Sequence, residues 1–132
     1  MSLILDTSVI IAVLTNEPHK KQLIEITRGE EALAPLSLRY EIGNAFSAMI
    51  RRKRISLAQA QAAIQQYNTI SLRLVEVDLK KSMELAAKHN IYAYDAYFIE
   101  CAVRHNCGLV TLDSKMISIA HKEGISVREV GP

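Results

Sequence analysis

Ser2-Leu3-Ile4-Leu5-Asp6-Thr7-Ser8-Val9-Ile10 opens the chain with a short apolar run that is cut by one carboxylate and then resumed. Ser2 to Leu5 reads as a buried strand, and Val9, Ile10, Ile11, Val13 and Leu14 read as the start of a buried helix. The predicted order is strand, carboxylate, helix. Thr7 or Ser8 is the predicted helix cap, since a short hydroxyl side chain accepts from a free first-turn amide. The same grammar returns near the other end. Leu109, Val110 and Leu112 make a strand closing at Asp113, a helix runs from Ser114 to about Glu123, and Gly124 ends it. Val127 and Val130 are expected in a last strand.

Working outward, Pro18 suits the first turn of a second helix carrying Leu23, Ile24 and Ile26. Ala32 to Ala34 is a weak strand ending at Pro35. From Leu38, the positions Ile42, Ala45, Phe46 and Met49 recur at helical spacing until Arg51, Arg52, Lys53 and Arg54. Ser56 caps a further helix, with Leu57, Ala60, Ile64 and Tyr67 on one side. Leu74, Val75 and Val77 read as a strand, and Leu79, Met83, Ala86 and Ala87 as a helix ending near Asn90. Tyr94 to Val103 is helical by period, with Phe98, Ile99, Ala102 and Val103 as its inner stripe. Strands alternating with helices demand crossover connections, so the fold class is α/β: a mostly parallel sheet with helices on both sides.

The bulk numbers narrow the classes. With 132 residues and 49% hydrophobic content, the chain is read as one domain over 1–132. Sixteen Lys+Arg against fourteen Asp+Glu give a formal charge of +2, so charge alone announces no nucleic-acid binder and any basic surface must be local. The first residues lack the basic lead of a signal peptide, and Asp6 interrupts the apolar run before membrane-spanning length, which predicts a cytoplasmic protein with no membrane association. Cys101 and Cys107 lack the spacing of a zinc site and are expected as buried free thiols. Aromatics at 5% argue against a base-stacking platform.

Four carboxylates stand out. Asp6 and Asp113 each follow an apolar strand, and open α/β sheets bind ligands outside the carboxyl ends of their strands. Glu41 and Asp95 lie within apolar helical stripes, where a charge needs a partner. Each also has a plain structural reading. Asp6 and Asp113 suit helix N-caps, Asp95 suits a first helical turn, and Glu41 suits an ion pair with Arg39 or Arg104. Gathered together, however, two like charges roughly 4 Å apart cost about 4 kcal/mol at an effective dielectric near 20. A divalent cation removes that cost. Oxygen ligands without Cys or His suit magnesium or manganese, which polarise a phosphoryl group and acidify a bound water, so phosphodiester hydrolysis is the expected chemistry.

Four stretches then match a known family: Leu-Ile-Leu-Asp-Thr-Ser (3–8), Tyr-Glu-Ile-Gly-Asn-Ala (40–45), Tyr-Asp-Ala-Tyr-Phe-Ile (94–99) and Val-Thr-Leu-Asp (110–113). In their order and spacing the chain resembles the PIN-domain nucleases, and among them the stand-alone toxins of VapC type. The resemblance implies a three-layer α/β/α fold with a central five-stranded parallel sheet. It implies an endoribonuclease dependent on Mg2+ or Mn2+, with Asp6, Glu41, Asp95 and Asp113 as its acidic, metal-holding quartet and 5′-phosphate and 3′-hydroxyl products. It also implies that Ser8, with Thr7 and Thr111, supports the metal site. A homodimer is implied, as is inhibition by a small antitoxin protein that inserts a group into the acidic pocket.

An acidic pocket repels RNA, so flanking cations are expected, and Arg51, Arg52, Lys53 and Arg54 form the densest run. The same run also suits the helix C-terminus on dipole grounds. Three other readings stand beside the toxin nuclease. One is a PIN-like RNA-processing nuclease outside any toxin pair. A haloacid-dehalogenase-like phosphatase needs a second aspartate two positions after Asp6, where Ser8 stands. A non-catalytic nucleic-acid-binding module would keep the fold without the quartet.

Overall fold

The computed structural model describes residues 1–15 and 20–128. In chain order the elements are β1 (Ser2–Leu5), α1 (Thr7–Leu14), α2 (Lys20–Thr27), β2 (Glu31–Pro35), α3 (Leu38–Arg51), α4 (Leu57–Tyr67), β3 (Arg73–Val75), α5 (Leu79–His89), α6 (Ala93–Arg104), β4 (Gly108–Val110), α7 (Ser114–Lys122) and β5 (Val127–Arg128). The five strands form one parallel sheet in the order β3-β2-β1-β4-β5. This is the predicted α/β arrangement. Pro18 and Val130 lie outside the described residues.

β1 is the central strand. Leu3, Ile4 and Leu5 are all buried, as a strand covered on both faces requires. Ile4 faces Leu33 of β2 on one side and Leu109 of β4 on the other. Gly108 begins β4 because the space is already taken: a Cβ there would meet Leu3 Cδ2 at 3.1 Å and the Ser126 carbonyl at 3.3 Å. The helix contacts fall into two groups, α1 with α2, α3 and α4, and α6 with α5 and α7. Chain order reverses between β1 and β4. The first three strands step one way across the sheet and the last two the other, so the gap above β1 and β4 is the topological switch point.

Several local expectations change in three dimensions. The cap of α1 is Asp6, whose side chain accepts from the Val9 amide; Thr7 and Ser8 are already inside the helix and direct their hydroxyls elsewhere. Ser56 does cap α4, in a reciprocal box with Gln59. That helix buries Ala60 and Ala63 while Leu57 and Ile64 face outward, because small residues let α4 approach α1 closely. Val77 falls beyond β3 and Leu112 beyond β4. α6 buries Ala96, Phe98, Ile99, Glu100, Cys101 and Ala102, a broad arc because it touches the sheet and two helices, and Val103 is left outside it. Cys101 and Cys107 are buried free thiols, and burial pushes the Cys101 thiol up to about 12.

Candidate active site

Asp6, Glu41, Asp95 and Asp113 line one small cleft together with Thr7, Ser8, Phe98 and Met116. Its volume is about 170 Å³, and it opens above the carboxyl ends of β1 and β4. The chain supplies these residues by three routes. Asp6 leaves β1 and is pinned by a backbone bond from its amide to the Val110 carbonyl, so the ends of β1 and β4 are tied together. Asp113 follows β4 and caps α7, accepting from the Lys115 amide at 2.9 Å. Glu41 and Asp95 come from the first turns of α3 and α6.

The cap readings of Asp6 and Asp113 are therefore correct, and they coexist with the cleft. A cap position aims a carboxylate across the start of a helix, where first-turn amides and the helix dipole favour negative charge. Among the described residues Glu41 has neither Arg39 nor Arg104, the alternative partners considered for it, in ion-pair contact. Arg104 instead binds Glu100, and Glu41 accepts hydroxyl hydrogen bonds from Thr7 at 3.0 Å and Ser37 at 2.8 Å.

Hydroxyls hold the first carboxylate as well. Ser8 Oγ donates to Asp6 Oδ1 at 2.6 Å and accepts from the Leu112 amide at 3.1 Å. Thr111 Oγ1 donates to Asp6 Oδ2 and accepts from the Asp113 amide. Thr111 thus links the two strand-end aspartates. Thr7, Ser8 and Thr111 all stand at the site as anticipated, whereas Ser37 escaped notice. Its signal was present, four residues before Glu41 and just ahead of α3, but a serine there reads as a helix cap. Ser37 makes no cap bond and serves the glutamate instead.

Electrostatics at the cleft are strained in one direction. Burial pushes the Asp6 carboxyl above the usual range, opposed by its bonds to Ser8, Thr111 and the Val9 amide, and Asp113 pushes it further. Glu41 is raised first by burial, against Ser37 and Thr7, with added repulsion from Asp95 and Asp6. Asp95 is raised by burial and by Asp113, while Lys115 pulls it down. Among the described residues, none of the four carboxylates has a cation within ion-pair distance.

Among the described residues, no three acidic, imidazole or thiol groups converge tightly enough to grip an ion unaided. That spacing excludes a closed cage such as structural zinc uses. Magnesium keeps several waters and takes one or two carboxylates directly, so a hydrated ion is the form these four carboxylates would have to hold. At about 30 Å³ per water, the cleft has room for a hydrated ion. Hollows of about 530 and 500 Å³ exist elsewhere, but they mix acids with bases or apolar groups and gather none of the four carboxylates.

Arg51, Arg52, Lys53 and Arg54 are not beside this cleft. Glu41 is in the first turn of α3 and Arg51 in its last, about 15 Å along the axis at 1.5 Å per residue. All four are exposed, Arg52 is the C-cap, and Lys53 adopts the left-handed conformation just beyond it.

The PIN domain family model matches residues 3–122. The chain belongs to the PIN-domain family. Within that family it is 29% identical over 116 residues to a VapC ribonuclease of Mycobacterium bovis and to ribonuclease VapC9 of Mycobacterium tuberculosis, covering 86% of this chain and 87% of each relative. Solved structures share the PIN fold at lower identity. The protein PAE2754 of Pyrobaculum aerophilum superposes with a TM-score of 0.73 at 22% identity, over 96% of this chain and 83% of that one. VapBC2 of Rickettsia felis, solved on a DNA fragment from its promoter, gives a TM-score of 0.73 at 15% identity over 99% and 100% of the two chains.

Proposed function

We propose that this PIN domain is a metal-dependent endoribonuclease and the toxin of a toxin–antitoxin pair. The observation that carries the reading is the cleft itself: four carboxylates, of which Asp6, Glu41 and Asp95 are raised by burial and by their neighbours' charge, lie at the switch point without an ion-pair cation among the described residues. Such a set is stabilised by a divalent ion, and its all-oxygen character selects Mg2+ or Mn2+. Asp6, Glu41, Asp95 and Asp113 would hold the ion. When bound, it supplies an activated water and charge neutralisation for phosphodiester hydrolysis.

The chain's own residues prepare that chemistry. Ser8 and Thr111 fix both oxygens of Asp6. Thr7 and Ser37 fix both oxygens of Glu41. The carboxylates are oriented before any substrate arrives, which lowers the reorganisation needed at the reacting phosphate. Phe98 and Met116 supply the apolar part of the cleft wall.

RNA as substrate is supported by the relatives named as VapC ribonucleases, and an antitoxin partner by the fold shared with the solved VapBC2; entry of that antitoxin into the acidic pocket is part of the same proposal. Assembly as a homodimer in the cytoplasm belongs to the same reading. No helix among the described residues is long and apolar enough to cross a membrane. The test is incubation of the purified chain with end-labelled single-stranded RNA and matched DNA, in magnesium, manganese or chelator. RNA cleavage that requires the metal and falls at least 100-fold in both Asp6→Asn and Asp95→Asn is the expected result. Undiminished cleavage in chelator, or in both variants, would overturn it.

A further inference from the structure

The cleft must admit a polyanion although four acids line it, and the arginine run expected to help lies at the other end of α3. A nearer cation exists. Lys115 stands two residues beyond Asp113, in the first turn of α7, between the Asp113 cap and Met116 of the cleft wall. Its amide binds the Asp113 carboxylate, which fixes the backbone of this turn at the rim. The side chain is exposed, and among the described residues it forms no ion pair.

Its position runs against helix electrostatics, because the positive end of the dipole disfavours a cation in the first turn. Its charge nevertheless lies close enough to pull against the rise of the Asp95 carboxyl. Lys115 is thus an exposed cation, without an ion-pair partner among the described residues, in a turn bracketed by two residues of the cleft, Asp113 and Met116. We propose that Lys115 is a substrate-binding residue, contacting a backbone phosphate of the RNA strand next to the one held at the carboxylates. The proposal rests on the nuclease reading. A lysine suits the task as a compact, mobile point charge, which follows a flexible strand without demanding one geometry.

The test compares the full-length wild type with Lys115→Gln and Lys115→Arg. Binding of a fluorescein-labelled single-stranded RNA is followed by anisotropy in chelator, so that no cleavage occurs, across a salt titration. Cleavage with magnesium is measured in parallel. Lys115→Gln is expected to bind about tenfold more weakly, with a salt slope shallower by about 0.7, the value for one single-strand phosphate contact. Its KM should rise more than its kcat falls. Lys115→Arg should recover most of the affinity and the slope. If the wild type cleaves RNA and Lys115→Gln keeps wild-type affinity and slope, the proposal is wrong while the nuclease reading stands. Equal weakening in both variants also overturns it, since charge would then not be the cause. A wild type that neither binds nor cleaves RNA overturns both.

Discussion

Burial raises the pKa of Asp6, Glu41 and Asp95, and for an acid the sign has a definite consequence for stability. Between the ordinary carboxylate range and the raised value, the folded chain holds more protons than the unfolded one, so stability falls as pH rises through that window and stays reduced above it. Removing one charge should relieve the strain. In chelator near neutral pH, Asp95→Asn is expected to raise Tm by about 2–4 °C and to flatten its dependence on pH. An unchanged or lower Tm in a pH series of thermal melts would count against the repulsion. Ser37 permits a different experiment, because it acts through Glu41. Ser37→Ala should weaken magnesium binding by about tenfold in calorimetric titration, and Ser37→Thr should retain it. Equal affinity in the alanine variant would leave Ser37 without a positioning role. At this scale Glu41 and Asp95 were legible because a carboxylate in an apolar stripe contradicts its surroundings. Ser37 was not, because its partner is chosen by the orientation of a side chain one turn away.

Among the elements, α6 is held by one buried charge. Glu100 is 2% exposed, accepts from the Asp78 amide at 2.8 Å and pairs with Arg104, which also donates to the Glu76 carbonyl. One carboxylate thereby fastens α6, which carries Asp95, to the loop between β3 and α5. Arg104→Met should cost about 2–3 kcal/mol in urea unfolding, discounted for the partial exposure of the arginine. Glu100→Gln, which retains an acceptor for the amide, should cost less; the reverse order would show that the pair does not fasten the helix. The end of β1 was readable from an apolar run that stops at an aspartate, whereas β4 stops at Val110, short of the predicted close at Asp113. The broad buried arc of α6 was not, since its width comes from touching the sheet and two helices at once, and period alone cannot count neighbours.

Across the whole molecule, the sheet order places the carboxylates at one end, and the length of α3 carries the arginine run to the other. The separation predicts dependence on substrate length. Neutralising Arg51, Arg52, Lys53 and Arg54 to glutamine should weaken binding of an RNA long enough to span roughly 15 Å and leave a dinucleotide unaffected. Loss on both substrates, or on neither, would assign the run a different role. Saturation with magnesium at one hundred times its Kd should add about 2.7 kcal/mol to the stability of the wild type, and much less to Asp6→Asn. Thermal melts with and without the ion read this directly. The alternation of strands and helices disclosed the parallel sheet in advance. Distances across it required the chain to be folded, because they depend on which end of each helix meets which end of each strand.

Asp6 is bound by two hydroxyls and an amide, and it begins the first helix as well as entering the cleft. In a deep mutational scan read separately for abundance and for activity, its position should therefore fail in both columns, except that asparagine, which keeps the cap, should fail in activity alone. Asp95, which begins no helix, should fail in activity while its abundance holds or improves. Where cells are selected to escape harm from this chain, intact but inactive escapees should accordingly collect at Asp95, and those at Asp6 should largely be misfolded.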